Sequence, residues 1–371
     1  MNRAILKVLN PYFYLIMKQF DFNRKKVLKI LLIAIFLTGV YLRLINIDLV
    51  EFKSDEARDM FVAKKIIDDG TMPLQGPPSQ IGINSGPIEY YILSPIVWIS
   101  ADPVLSAIFM SAINIFALYL CYMFGKKFFN ERVGLISLAL FSICIWPVLY
   151  SRKIWNPCFL PPFTLLFFFS LYKILEKKSN YIILSLLSLA LLFQFHLSTI
   201  VFTIPLLMVL IYKRFEMNKK YFVIGLMSFV LLFMPYALFE FSHNFPNTDR
   251  FFEILRSYSI EKRNNFFDVM KNVLSVSFGS NLEYLLGASK NVFPKTSLFL
   301  IGIAYYLQVL LFIAGVGFVF FKSFLMKNKK YKFQINLKYL LLILWLLVPI
   351  IFFSLYRQSI YPHYFILLFP V

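Results

Sequence analysis

The feature that most constrains this chain is a succession of apolar runs of about 18 residues or more, separated by short polar loops. That is the length needed to cross a bilayer, so the expected fold class is an all-α, polytopic integral membrane protein. Its 371 residues are 59% apolar, 19% aromatic and only 15% charged. A net charge of +19 would suggest nucleic acid as a partner of a soluble chain. Here the Lys and Arg residues gather in loops between spans, as the positive-inside rule predicts, so nucleic-acid binding is not expected. Cys121, Cys144 and Cys158 lie in or beside apolar spans, with no paired spacing and no neighbouring His. Neither a disulfide framework nor a zinc site is indicated.

Residues 1–29 read as an interfacial cytoplasmic segment, mixing apolar residues with the basic group Asn23-Arg24-Lys25-Lys26 and lacking a small-residue cleavage site. Residues 30–371 read as one transmembrane domain of about nine spans. The first span runs from Ile30 to Ile47, and Arg43 near its end is expected to snorkel to the headgroups, with pairing to an acid of the following loop as the alternative. A first outer loop, 48–86, follows. Within it Glu56–Asp68 reads as a juxtamembrane helix with Ala57, Met60, Phe61, Ala63, Lys64 and Ile67 at helical spacing. The Gly- and Pro-rich stretch after Gly70 turns repeatedly and is expected to offer backbone groups to a ligand. Residues 88–100 are short for a span, and Asp102-Pro103 interrupts them before the full-length segment from Val104 to Phe124, so they read as a juxtamembrane or re-entrant helix.

Later spans are expected at 133–149, 158–172, 181–195, 199–212, 221–239, 297–321 and 339–355. A long outer loop, 240–296, is long enough to hold helices. The tail 361–371 begins an apolar run that stops too soon to span, so the chain reads either as a fragment lacking C-terminal spans or as ending in a half-span. On this count the polar residues of interest share the outer face: Asp55, Glu56, Arg58, Asp59, Glu89, Arg152, Lys153, Asn156, His196, Arg357 and His363.

Ser54-Asp55-Glu56-Ala57-Arg58-Asp59 packs four charges into six residues directly after the first span. The plain reading is a solvated first helical turn, with acids at its positive end. The functional reading is a site: carboxylates accept a proton, and Arg and Lys offer an anionic headgroup charge-assisted hydrogen bonds. Singly, Arg152 and Lys153 read as interface anchors, His196 as a loop cap and Glu89 as a solvated helix terminus. Their convergence favours the site.

The acidic motif, Gly-Pro-Ile-Glu-Tyr-Tyr at 86–91, Tyr150-Ser151-Arg152 with Trp155-Asn156-Pro157, and Gln194-Phe195-His196 together resemble the GT-C glycosyltransferases of the protein O-mannosyltransferase and aminoarabinose transferase kind. The likeness runs from about residue 30 to the end. It implies a GT-C-like helical bundle in a bacterial plasma membrane. Such an enzyme moves a sugar from a polyprenyl-phosphate donor to an acceptor hydroxyl of a protein, lipid or glycan outside the cytoplasm. Asp55 matches the family's catalytic acid, with Glu56 beside it. Arg58, Asp59, Glu89, Tyr90, Arg152, Asn156, His196, Arg357 and His363 are the expected substrate-binding residues. One departure matters: where many relatives have Lys-Pro-Pro, this chain has Asn84-Ser85-Gly86-Pro87. Carrier phosphate is then expected to meet Arg58, Arg152 and Arg357 instead.

The expected reaction is an inverting displacement with Asp55 as base and Arg groups holding the departing phosphate. No cofactor is required by the pattern; a divalent metal between acids and phosphate suits oxygen ligands, but no spacing demands it. The competing class is a transporter or flippase of a lipid-linked or anionic solute, for which repeated halves and midplane charges are the signs, neither of them clear here. A third reading is an inactive relative serving as an assembly subunit.

Overall fold

The structure, a computed structural model, describes residues 11–214, 216–256, 266–278, 295–324, 336–355 and 360–368. The regular elements among them are all helical, with one isolated bridge between Pro78 and Asn84. Among the described residues five helices are long and apolar enough to cross a membrane: Lys25–Leu44, Pro103–Phe128, Asn156–Leu175, Lys219–Ser242 and Leu337–Leu355. The expected span at 133–149 is instead broken at Cys144 into α5 (Glu131–Ile143) and α6 (Ile145–Tyr150). Those at 181–195 and 199–212 become α8 (Tyr181–Phe195) and α9 (Thr203–Lys213), of 15 and 11 residues. At 1.5 Å per residue, a 15-residue helix reaches only about 22 Å of the roughly 30 Å hydrocarbon core. The expected span at 297–321 lies within α13 (Lys295–Phe324).

Helix α1 runs unbroken from Pro11 to Leu44 and carries the basic group Asn23-Arg24-Lys25-Lys26. Lys and Arg are good helix formers, and after Pro11 no Gly or Pro interrupts the sequence before Gly39. Near its end Arg43 departs from expectation. It is fully buried, donating to the carbonyls of Gly39, Phe141 (3.0 Å) and Ser142. The last two are orphan carbonyls at the negative end of α5, which a buried guanidinium satisfies better than headgroups would.

Helix α2 (Ser54–Asp68) leads to α3 (Ile88–Ile99), and Ser100 to Asp102 then separate α3 from α4 (Pro103–Phe128). Asp102 Oδ1 accepts from the Val104 amide at 2.9 Å with Pro103 at the first helical position, a start written in the sequence. Helix α7 (Leu160–Leu175) packs on α4 and α8, and α10 (Lys219–Ser242) packs on α8. The core is aromatic: Trp345 of α14 (Leu337–Leu355) stacks on Phe168 at 4.3 Å, and Phe159 on Phe195 at 4.5 Å.

The bundle has two distinct ends. At one, Lys338 Nζ donates to the Phe128 carbonyl and lies 5.3 Å from the Tyr172 ring, joining the ends of α4 and α7 to the start of α14. About 24 Å away along α7, at its start, the Asn156–Phe159 turn meets the end of α8 through Asn156 and the Phe195 carbonyl. The charged residues gather at this second end. The tail also returns there: Pro362–Leu368 forms a 3-10 turn with Phe365, Ile366 and Leu367 buried, and Trp345 Nε1 donates to the Leu367 carbonyl at 2.9 Å.

Candidate active site

Helix α2 begins where the Glu56 side chain folds back to accept the Lys53 amide at 3.0 Å, with Asp55 and Glu56 at the positive end. Its buried face is Glu56, Asp59, Met60 and Ala63, at i, i+3, i+4 and i+7. The helix is therefore rotated from the face expected: Ala57 is exposed and Phe61 points outward, with Lys65 Nζ 4.9 Å from its ring.

Arg58 joins two of the acids. Its Nη1 donates to Asp55 Oδ1 at 2.9 Å and its Nε to Asp59 Oδ1 at 2.8 Å. Asp55 keeps 49% of its side chain exposed, whereas Asp59 is wholly buried. Burial pushes the Asp59 carboxyl up to about 6 against the pull of Arg58. Glu89, in the first turn of α3, is also fully buried. Burial, and then the charge of Asp59, hold its carboxyl well above the usual range. Tyr90 beside it is raised by burial and by the same two acids, and Arg58 reaches its phenol.

A second group adjoins the first through Glu56. Lys153 Nζ lies 3.0 Å from Glu56 Oε1, 2.9 Å from Glu51 Oε2 and 4.8 Å from the Trp155 ring. His363, brought in by the tail, packs edge-on against Trp155 at 4.7 Å and against His196 at 5.6 Å. His196 Nδ1 accepts the Ser198 amide, which places the proton on Nε2; burial pushes this imidazole down to about 4. Burial also lowers His363, aided by His196 and Lys153. Arg152 Nη2 donates to the Asn46 carbonyl, and its Nε is buried with no partner among the described residues. Asn156 is buried, and its amide donates to the Phe195 carbonyl.

The structure thus gathers Asp55, Arg58, Asp59, Glu89 and Tyr90 into one group, with Glu56 on Lys153 and with His363 between Trp155 and His196. Arg152 and Asn156 bond to backbone at the edge, and Arg357 lies outside the described residues. Sequence reasoning counted Lys153 among the outer-face polar residues without naming it as substrate-binding, and it left out Glu51 and Trp155 as site members. Among the described residues no group of three or more His, Cys, Asp or Glu is arranged to hold a metal ion.

The Gly- and Pro-rich segment closes over this end with its backbone groups already occupied. The Gly86 amide donates to the Gln194 carbonyl at 3.0 Å, and the Asn84 amide to Asn247 Oδ1 at 2.8 Å. Tyr236 donates to the Asn84 carbonyl, and Arg250 Nε to the Ile81 carbonyl at 2.9 Å. Asn247 and Arg250 belong to α11 (Pro246–Arg256), whose first amides are capped by Glu240. The expectation that this segment offers backbone to a ligand is therefore corrected at these positions. The long loop supplies Asn247 and Arg250, and α8 and α10 supply Gln194 and Tyr236.

Residues 84–239 match the family model for dolichyl-phosphate-mannose-protein mannosyltransferase, a stretch that holds Glu89, Arg152 and His196. No curated protein matches the sequence. Among solved structures, the chain is similar to ArnT from Cupriavidus metallidurans in the apo state. The identity is 11% and the TM-score 0.54, over 94% of this chain and 58% of that one. It is also similar to the same protein bound to undecaprenyl phosphate, at 10% identity and TM-score 0.55 over the same shares. The chain thus spans 58% of the length of the structures it matches. The chain thus shares the fold of those two structures, and its residues 84–239 match the mannosyltransferase family model.

Proposed function

We propose that this protein transfers a sugar from a polyprenyl-phosphate donor to an acceptor hydroxyl of a protein, lipid or glycan, with inversion at the anomeric carbon. The observation that carries the reading is Asp55: the half-exposed carboxylate of a buried acid group, fixed in direction by Arg58. Asp55 takes the acceptor proton as the hydroxyl oxygen bonds to the anomeric carbon. The bond from that carbon to the phosphate oxygen breaks, its electron pair leaves with the phosphate, and polyprenyl phosphate is the second product.

Arg152 suits the departing phosphate. It makes no ion pair among the described residues, and its buried Nε has a donor to spare. Lys153 is less suited, because two carboxylates and Trp155 already hold it. The related structure with undecaprenyl phosphate supports a polyprenyl-phosphate ligand. The basic loops at 126–132, 173–178 and 213–220 favour a site facing outside a bacterial plasma membrane, since positive loops stay in the cytoplasm.

The test is transfer by purified protein in detergent with a series of labelled polyprenyl-phosphate sugars. Glycosylated acceptor of inverted configuration, with one polyprenyl phosphate released per sugar, supports the reading. Carriage of the intact donor across a vesicle membrane with no sugar transferred favours a flippase instead.

A further inference from the structure

Among the described residues, five carboxylates pair with or act on Arg58 and Lys153: Glu51, Asp55, Glu56, Asp59 and Glu89. Four have a cation. Arg58 holds Asp55 and Asp59, Lys153 holds Glu51 and Glu56, and the exposed Lys53 also reaches Glu51. Glu89 has none: both its oxygens are buried and accept no hydrogen bond among the described residues. An unpaired buried carboxylate is costly, and such a group takes up a proton instead. On the neighbouring α2, Asp59 has one oxygen on Arg58 while its Oδ2 is buried with no partner.

We propose that Glu89 is kept as the neutral acid of this cluster and, by staying neutral beside Asp59, holds the Arg58 fork divided between Asp59 and Asp55. It is a positioning residue, acting on the base through Arg58. Were Glu89 ionised, a third carboxylate charge would compete for the one guanidinium and repel Asp55, turning the base away from its fixed direction. Arg58 cannot answer by gaining charge, because it is always protonated.

The ionisable groups acting on Glu89 are Asp59, Arg58, Asp55 and Glu56 of α2, with Tyr90 on its own helix. Cys158 of the Asn156–Phe159 turn feels Glu89, Glu56 and Lys153 together. Helices α4 and α8 also pack on α3. The first ionisable residue of α4 is Tyr119, and α8 carries only Tyr181, so neither brings a cation to the Glu89 end of α3. Burial and the Asp59 charge act in the same direction on Glu89, both favouring its protonated form.

The experiment compares the detergent-solubilised wild type with Glu89→Gln and Asp59→Asn, by infrared spectroscopy across pH and by transfer rate across pH. The transfer readout rests on the function proposed above; the infrared readout does not. At neutral pH the wild type is expected to show a protonated-carboxyl absorption that Glu89→Gln lacks. In Asp59→Asn that absorption should vanish at lower pH, because a negative neighbour is gone. Wild-type transfer should fall on the alkaline side as Glu89 ionises. Glu89→Gln, neutral at every pH, should lose that alkaline fall. No carboxyl absorption lost in Glu89→Gln, or no shift of its midpoint in Asp59→Asn, overturns the proposal even if transfer is never seen. An alkaline limb identical in wild type and Glu89→Gln overturns the positioning role.

Discussion

Arg58 donates from Nη1 to Asp55 Oδ1 at 2.9 Å while its Nε holds the buried Asp59, so one guanidinium ties the exposed acid of the site to a fixed one. Lysine cannot span both, because it offers a point charge rather than a planar fork. Arg58→Lys should therefore lower transfer by about tenfold to a hundredfold, through kcat more than KM, since orientation of the base is lost while charge remains. Steady-state kinetics of the purified variant checks this. A change in KM alone would assign Arg58 to ground-state binding.

Lys153 sits between Glu56 and Glu51, and Glu56 is buried. Removing the cation leaves an uncompensated buried carboxylate, which costs about 3–5 kcal/mol. Lys153→Met should lower the melting temperature in detergent, and adding Glu56→Gln should restore much of the loss. Equal melting of the single and double variants would mean that the pair is not coupled.

The helix over Ser54–Asp68 and the break at Asp102-Pro103 were legible because their signals are local: acids at a helix start, a capping Asp, a Pro at the first position. The buried face of α2 was not, because Glu56 and Asp59 lie on it and apolar periodicity ranks such residues as outward. Arg43 was misread for a related reason. Its partners are the carbonyls of Phe141 and Ser142, and backbone groups leave no mark in a sequence. Lys153 and Glu51 lie 102 positions apart, so only the folded chain shows that they meet. The tail's role was equally hidden, since its turn into the core depends on Trp345 and Leu367 meeting.

Glycines in the first loop offer a steric test. A Cβ on Gly76 would stand 2.1 Å from the Gly86 carbonyl oxygen, a backbone atom that cannot step aside, whereas Gly70 at φ +66° has open space around it. Gly76→Ala should cost about 1–3 kcal/mol or more through overpacking. Gly70→Ala should cost about 1 kcal/mol from backbone strain alone. Thermal unfolding in detergent ranks them, and a larger loss at Gly70 would contradict the packing of this loop.

His196 gives a pH signature with a definite sign. Its folded pKa of about 4 lies below the unfolded value of about 6.5, so the unfolded chain binds more protons between the two. The stabilisation from neutral His196 is full above pH 6.5 and is lost as pH falls toward 4. Asp59, raised to about 6, contributes with opposite sign, being most favourable to folding below about 3.9 and losing that as pH rises through 6. Asp59 cancels in a comparison of wild type with His196→Asn, which keeps an acceptor for the Ser198 amide. The difference in melting temperature should favour wild type less as the solution is acidified. A difference independent of pH from 7 to 4 would show that His196 is not held neutral by burial.

The central claim is that Asp55 is the base, and the most direct measurement is sugar transfer by purified Asp55→Asn from a labelled polyprenyl-phosphate donor. Asparagine nearly preserves the shape but cannot accept the proton, so the rate should fall by about two to four orders of magnitude while donor binding persists. Glu56→Gln should slow transfer less, because Glu56 faces Lys153 and the helix start rather than the open side of the site. A wild-type rate in Asp55→Asn would contradict the account.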